Sequence, residues 1–187
     1  MKCSELHKIL RKGNKFNFKS GKNFQNYLKQ YKNFPENGIY LMTEKGEIGH
    51  VGLRIVRIGI NKKNSLVKRL NKHINGSENN SIFREHIRRI FKKEESLITK
   101  DDVTEYIKNK ISFYVIRDLE NKREILERKI IGTISKCGLC MSSNSWKGLE
   151  SATERIRESG LWNVHYVCGE YQLDKDDMDY IKKNLLK

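Results

Sequence analysis

The sequence predicts an α/β fold: a small, mainly antiparallel three-stranded sheet flanked by helices, with helical extensions at both ends. Three observations carry this expectation. Two runs rich in β-branched and aromatic residues, Gly38-Ile39-Tyr40-Leu41-Met42 and Leu53-Arg54-Ile55-Val56-Arg57-Ile58, are separated by Gly46, Gly49 and Gly52 and read as a hairpin. A third such run spans Ile111 to Arg117. Around these runs, apolar residues recur at helical spacing, so helices must cover the sheet.

In chain order, residues 3–12 and 20–32 read as two short basic helices or an arm, parted by Gly13 and Gly21 and closed by Pro35. After the hairpin, Ser65 is a fitting N-cap for a helix with Leu66, Leu70 and Ile74 on one face. Ser81 precedes another, with Ile82, Phe83, Ile87, Ile90 and Phe91 expected inside and Arg84, Arg88 and Lys92 outside. Asp101 to Lys110 reads as a short helix, and Glu120 to Ser135 as a longer one with Leu126, Ile130, Ile131 and Ile134 inward. The expected division is a basic N-terminal helical arm over 1–37, a core over 38–135, and a C-terminal extension over 136–187 packed on that core.

Charge narrows the partner. Lys and Arg number 38 against 23 Asp and Glu, a net charge of +15 in 187 residues. The excess sits in residues 1–37, with nine basic against two acidic residues, and in residues 61–93, with ten against two. Such one-sidedness favours a polyanion, and nucleic acid is the commonest. No stretch approaches the roughly 18 apolar residues of a membrane span, since Arg54 and Arg57 interrupt the most hydrophobic segment. Without an apolar run for a signal peptide, a cytoplasmic location with four reduced cysteines is expected.

Gly38-Ile39-Tyr40, followed seventeen residues later by Arg57-Ile58-Gly59 on the partner strand, resembles the GIY-YIG nuclease family. The order of later residues strengthens the likeness. Arg69 and His73 lie four residues apart on the first helix after the hairpin, and Glu127 stands before Ile130 and Ile131 on a later one. The resemblance covers residues 38–135 and implies a GIY-YIG core there. It implies catalytic duties for Tyr40, Arg57, Arg69, His73, Glu127 and Asn144. One departure is that Arg57 stands where the family has its second tyrosine, so that position must act as a cation. Asn144 is the nearest match to an asparagine the family often carries, though it lies seventeen residues past Glu127.

Phosphodiester hydrolysis needs a positioned water, an acceptor for its proton, and positive charge where negative charge builds. The resemblance implies Tyr40 as that acceptor, Arg69 as the phosphate clamp, His73 as an aid to the water, and Glu127 as anchor for Mg²⁺ or Mn²⁺. One carboxylate with water and substrate oxygens suits Mg²⁺. Arg69 and His73, at i and i+4, share a helix face. Lys62, Lys63, Lys68, Lys72, Arg84, Arg88, Arg89 and Lys92 are the expected contacts to DNA phosphates, giving salt-dependent affinity.

The function expected is a Mg²⁺-dependent endonuclease acting on double-stranded DNA, most like a type II restriction enzyme. A palindromic target would call for a homodimer or sequential nicking. The rivals are a non-catalytic nucleic-acid-binding protein that retains the fold, a repair or homing nuclease, and an RNA substrate. Cys137, Cys140, His165 and Cys168 offer zinc-like spacing, but the resemblance carries no zinc and ordinary core cysteines are the preferred reading. Cys3, His7, His50 and His86 show no constellation in the sequence, and His86 reads as a packing residue.

Overall fold

The computed structural model describes residues 2–94 and 99–187. The elements are α1 (Lys2–Leu10), β1 (Phe16–Asn17), α2 (Phe24–Lys29), β2 (Gly38–Ile48), β3 (Leu53–Ile60), α3 (Leu66–Asn75), α4 (Ile82–Glu94), α5 (Lys100–Lys110), β4 (Ile111–Arg117), α6 (Arg123–Ser135), α7 (Glu154–Ser159) and α8 (Lys175–Asn184). The sheet runs β1-β4-β2-β3, antiparallel throughout. It therefore has four strands rather than the expected three. The extra strand is a two-residue edge piece inside the segment expected to be helical, too short to leave a period in the sequence.

Alternation along β2 explains the layering. Tyr40 and Met42 pack with α2, α3, α4 and α5 through Leu28, Leu70, Phe83 and Ile107. Ile39 and Leu41 pack with α1, α6 and α8 through Leu6, Ile130 and Ile181. Because both faces of the sheet are covered, its strands read as nearly continuous apolar runs. Residues 2–37 contribute Leu6, Leu10, Phe16, Phe18, Phe24 and Leu28 to these two clusters, so their apolar side chains are part of the core. Among the described residues, no helix is long and apolar enough to cross a membrane.

The hairpin is longer than its sequence suggests. β2 continues through Thr43–Ile48, and the turn is closed where Gly49 N–H donates to the Gly52 carbonyl at 2.8 Å. The added stretch carries Glu44 and Glu47, which do not look like strand residues, yet both are buried and engaged. Arg54 donates to Glu47 Oε2 from Nε at 3.0 Å and Nη2 at 2.9 Å, and its Nη1 donates to the Gly160 carbonyl. Glu44 Oε2 accepts from the indoles of Trp146 at 3.0 Å and Trp162 at 3.3 Å, while Tyr106 donates to Oε1. Two buried carboxylates thus hold the C-terminal segment against the hairpin, bringing Trp162 and Asn163 alongside β3.

α4 lies differently from the expectation. Ile82 is exposed and Arg84 is fully buried. The unpaired carbonyls at the end of α3 supply the reason. Arg84 Nη1 donates to the carbonyls of Ile74 at 2.9 Å and His73 at 3.3 Å, and Nη2 donates to Lys100 O at 3.0 Å and Thr104 Oγ1 at 3.1 Å. A guanidinium at a helix C-terminus also opposes the negative end of its dipole. Arg84 is therefore an interior tie between α3, α4 and α5, not a phosphate contact.

Candidate active site

Tyr40 sits in the central strand, fully buried, with Gly59 as its cross-strand Cα partner. A β-carbon at position 59 would collide with the Tyr40 hydroxyl, so the glycine is what admits the phenol. The hydroxyl lies 2.7 Å from His73 Nε2, and His73 Nδ1 lies 2.9 Å from Ser81 Oγ. Phe83 meets the imidazole edge-on at 5.7 Å. Burial first, then the positive charges of Arg57, Arg69 and Arg84, hold His73 well below the usual histidine range, so the ring is neutral at pH 7.

This corrects one expectation. Although His73 follows Arg69 by one helical turn, it is fully buried and outside the lining of the cleft described below, because α3 inserts its C-terminal half into the core. Its contact is with Tyr40.

A cleft of about 700 Å³ opens beside Tyr40. Its walls include Tyr40 and Arg57 from the hairpin, Arg69 and Lys72 from α3, His86 from α4, Glu127 from α6, and Trp162 and Asn163 from the C-terminal segment, with Lys62 and Lys63 alongside. Four of the expected site residues, Tyr40, Arg57, Arg69 and Glu127, thus line one space although they span 87 positions of sequence.

Arg57 donates Nη1–H to the Trp162 carbonyl and places its guanidinium carbon 5.1 Å from the Phe83 ring centroid. Its Nε has no hydrogen-bond partner among the described residues. Burial lowers the Arg57 pKa, yet an arginine so placed remains a cation. Glu127 is half-buried, closes no ion pair and accepts no hydrogen bond among the described residues. Its basic neighbours on α6 are engaged elsewhere: Arg123 with Asp118 at 2.7 Å, and Arg128 over the Tyr166 ring. Burial raises the Glu127 pKa, and Arg57, Lys62 and Arg69 oppose that rise. A carboxyl group without a partner among the described residues, on the wall of an open cleft, suits a hard divalent cation that keeps most of its water.

The expected phosphate contacts separate into groups. Lys62, Lys63 and Lys72 line the cleft, and Lys68 is exposed on α3. On α4, Arg88 is half-buried, Lys92 is exposed, and Arg89 is exposed but paired with Glu85.

Asn144 is exposed and does not line the cleft. Another asparagine does. Asn163 is buried, donates Nδ2–H to the Ile58 carbonyl at 2.9 Å and accepts the Ile58 N–H at 3.0 Å, while Trp162 N–H donates to Val56 O at 2.7 Å. These bonds occupy the free edge of β3 beside Arg57. The signal in the sequence was only the pairing of Asn163 with a tryptophan, which says nothing about its place in space.

His86, expected as packing, is a wall of the cleft with 8% exposure and an Nε2 that has no partner among the described residues. Burial, followed by the charge of Arg57, brings its pKa down to about 4. The four residues with zinc-like spacing do not come together: His165 lines the cleft and Cys168 is exposed, whereas Cys137 and Cys140 stand beside Cys3, outside the lining of the cleft.

With a neutral imidazole fixing a phenol, two guanidiniums beside it and lysines at the rim, the cleft has the chemistry to hold a phosphate next to a proton acceptor. Such a lining fits the class of proteins that handle a phosphodiester. Comparison with protein families agrees. The model described as "GIY-YIG domain" matches residues 4–105 and 91–186, and the chain belongs to this family, whose members are nucleases. No curated protein and no solved structure matches the chain.

Proposed function

We propose that the protein is an endonuclease that hydrolyses phosphodiester bonds in double-stranded DNA with Mg²⁺ or Mn²⁺, in the manner of a type II restriction enzyme. The observation that carries this reading is the convergence of Tyr40, Arg57, Arg69 and Glu127 on one cleft. Arg57 at the second tyrosine position supports the restriction-like form, since basic residues occur there in some restriction-enzyme relatives.

Substrate binding begins electrostatically. Lys62, Lys63 and Lys72 draw the backbone to the cleft, releasing counterions. Arg69 and Arg57 then hold the scissile phosphate; a planar guanidinium can contact two of its oxygens. Tyr40 takes a proton from water as its own proton passes along the 2.7 Å contact to the neutral His73, so that one proton enters the phenol oxygen and one leaves it. Glu127 would hold the divalent ion, whose charge, when it is bound, offsets the negative charge developing on the leaving oxygen. Arg57 and Arg69 stabilise the charge that builds on the phosphoryl group in the transition state.

The test is incubation with several mapped DNAs and Mg²⁺, followed by sequencing of the ends. Discrete ends at a recurring sequence support the restriction-like reading, and a smear supports a nonspecific nuclease. Salt-sensitive binding without any cleavage in Mg²⁺ or Mn²⁺ would instead mean a binding protein that retains the fold.

A further inference from the structure

Outside the lining of the cleft, five ligands come together from three distant parts of the chain. Cys3 and His7 lie one turn apart on α1, His50 sits in the turn between β2 and β3, and Cys137 and Cys140 follow α6. The ligand atoms of Cys3, His50 and Cys137 all lie within 4.8 Å of one another, as do those of Cys3, His7 and Cys140. His50 Nε2 is 3.1 Å from Cys137 Sγ, and His7 Nε2 is 3.4 Å from Cys140 Sγ.

We propose that Cys3, Cys137 and Cys140, with one imidazole from His50 or His7, form a structural zinc site that ties α1, the hairpin turn and the end of α6 together. The geometry carries the inference. Zinc at about 2.3 Å from sulfur and about 2.0 Å from nitrogen in a tetrahedron sets sulfur and nitrogen roughly 3.5 Å apart. The two sulfur–nitrogen pairs lie close to that separation. Cys137 and Cys140 also form a C-x-x-C turn, in which Cys140 N–H donates to the Cys137 carbonyl at 3.0 Å. Cys3 and His7 supply ligands at i and i+4 of one helix, the spacing that puts both on one face.

The surroundings are consistent with a metal rather than with accidental packing. Cys3, His7 and Cys140 are all buried, at 3%, 3% and 5% exposure. A β-carbon at Gly49 would strike the His7 ring, so the hairpin turn is shaped to let that imidazole in. Cys3 belongs to both triads and is their common vertex, while Cys137 and Cys140 sit in different ones and would close on a single ion by side-chain rotation. Three thiolates suit zinc far better than Mg²⁺ or Ca²⁺. None of the five residues lines the cleft, so the site is separate from the proposed catalytic centre. Its effect is mechanical: it fixes the trailing end of the helix that carries Glu127.

Zinc content of the purified full-length chain tests this, measured by elemental analysis and by native mass spectrometry. One zinc per chain is expected. Cobalt substitution should give thiolate-to-cobalt charge-transfer absorption, a readout that needs no variant and no activity. Cys137→Ser with Cys140→Ser, and Cys3→Ser alone, should each lower zinc content at least about tenfold, whereas Cys168→Ser and His165→Ala should retain it. Of His50→Ala and His7→Ala, one should lose the metal, and that one names the fourth ligand. Absence of zinc with no cobalt uptake, a Cys3–Cys140 disulfide in the freshly purified protein, retention of zinc in both histidine variants, or its loss on changing Cys168 or His165 would each overturn the proposal.

Discussion

Gly59→Ala is the most incisive perturbation of the cleft, because it alters no charged or hydrogen-bonding group. Gly59 faces Tyr40 across the β2–β3 pair, and a β-carbon there would collide with both the phenolic oxygen and the carbon bearing it. To recover ordinary van der Waals contact the ring must retreat by on the order of 1 Å. The Tyr40–His73 contact, now 2.7 Å, would then stretch toward the edge of hydrogen bonding at roughly 3.5 Å. A misplacement of about 1 Å in a catalytic group costs about 100-fold in rate. The overpacked core would lose about 1–3 kcal/mol, or a few degrees of Tm in a chain of this size. Single-turnover cleavage of supercoiled plasmid, with DNA binding in EDTA and thermal unfolding measured on the same preparations, separates these effects. We expect kcat to fall about 100-fold with DNA affinity nearly unchanged, since the cleft lysines are untouched. A folded Gly59→Ala variant cutting within about threefold of wild type would refute the view that the phenol is held in a narrow position.

Other expectations follow from the same geometry. Lys62→Ala or Lys72→Ala should each reduce the slope of log K against log salt by about 0.9, while Arg84→Met should leave that slope unchanged and cost about 3 kcal/mol in urea unfolding, because it strands the carbonyls at the end of α3. Burial raises the Glu127 pKa, so the protonated acid persists to higher pH and the acidic limb of cleavage at subsaturating Mg²⁺ should lie above about pH 4.3; a flat profile down to that pH would contradict this. For Glu47, burial pushes the pKa up, but hydrogen bonds from Ser143 and Arg54 outweigh it and the net shift is downward. Its stabilisation is therefore present above the unfolded value of about 4.3 and lost as pH falls through the folded one. Glu47→Gln should be less stable than wild type at neutral pH and converge with it in acid.

What the sequence revealed of this fold, and what it hid, has a physical pattern. β4 was legible because its apolar run is continuous, and α3 because Ser65 caps it by accepting the Lys68 N–H. β2 was truncated in the sequence reading because Glu44 and Glu47 look like loop residues until Trp146, Trp162, Tyr106 and Arg54 surround them. Arg84 was misplaced because a helix face that alternates charge and apolar residues has two plausible rotations, and the open carbonyls of α3 decide between them. Tyr40, Arg57, Arg69 and Glu127 could be named because each stands in a recognisable order along the chain. Asn163 and the partnership of Cys3 with Cys137 and Cys140 depend on contacts across more than a hundred residues, with no local period to betray them.

The central claim is that a phenol, two guanidiniums and an unpaired carboxyl group act together on one phosphodiester. Single-turnover cleavage of a mapped DNA in Mg²⁺ by Tyr40→Phe and by Glu127→Ala, with binding measured in parallel, tests it most directly. Both variants should bind DNA with wild-type salt dependence and leave it uncut. Cleavage at the wild-type rate by either would contradict the account.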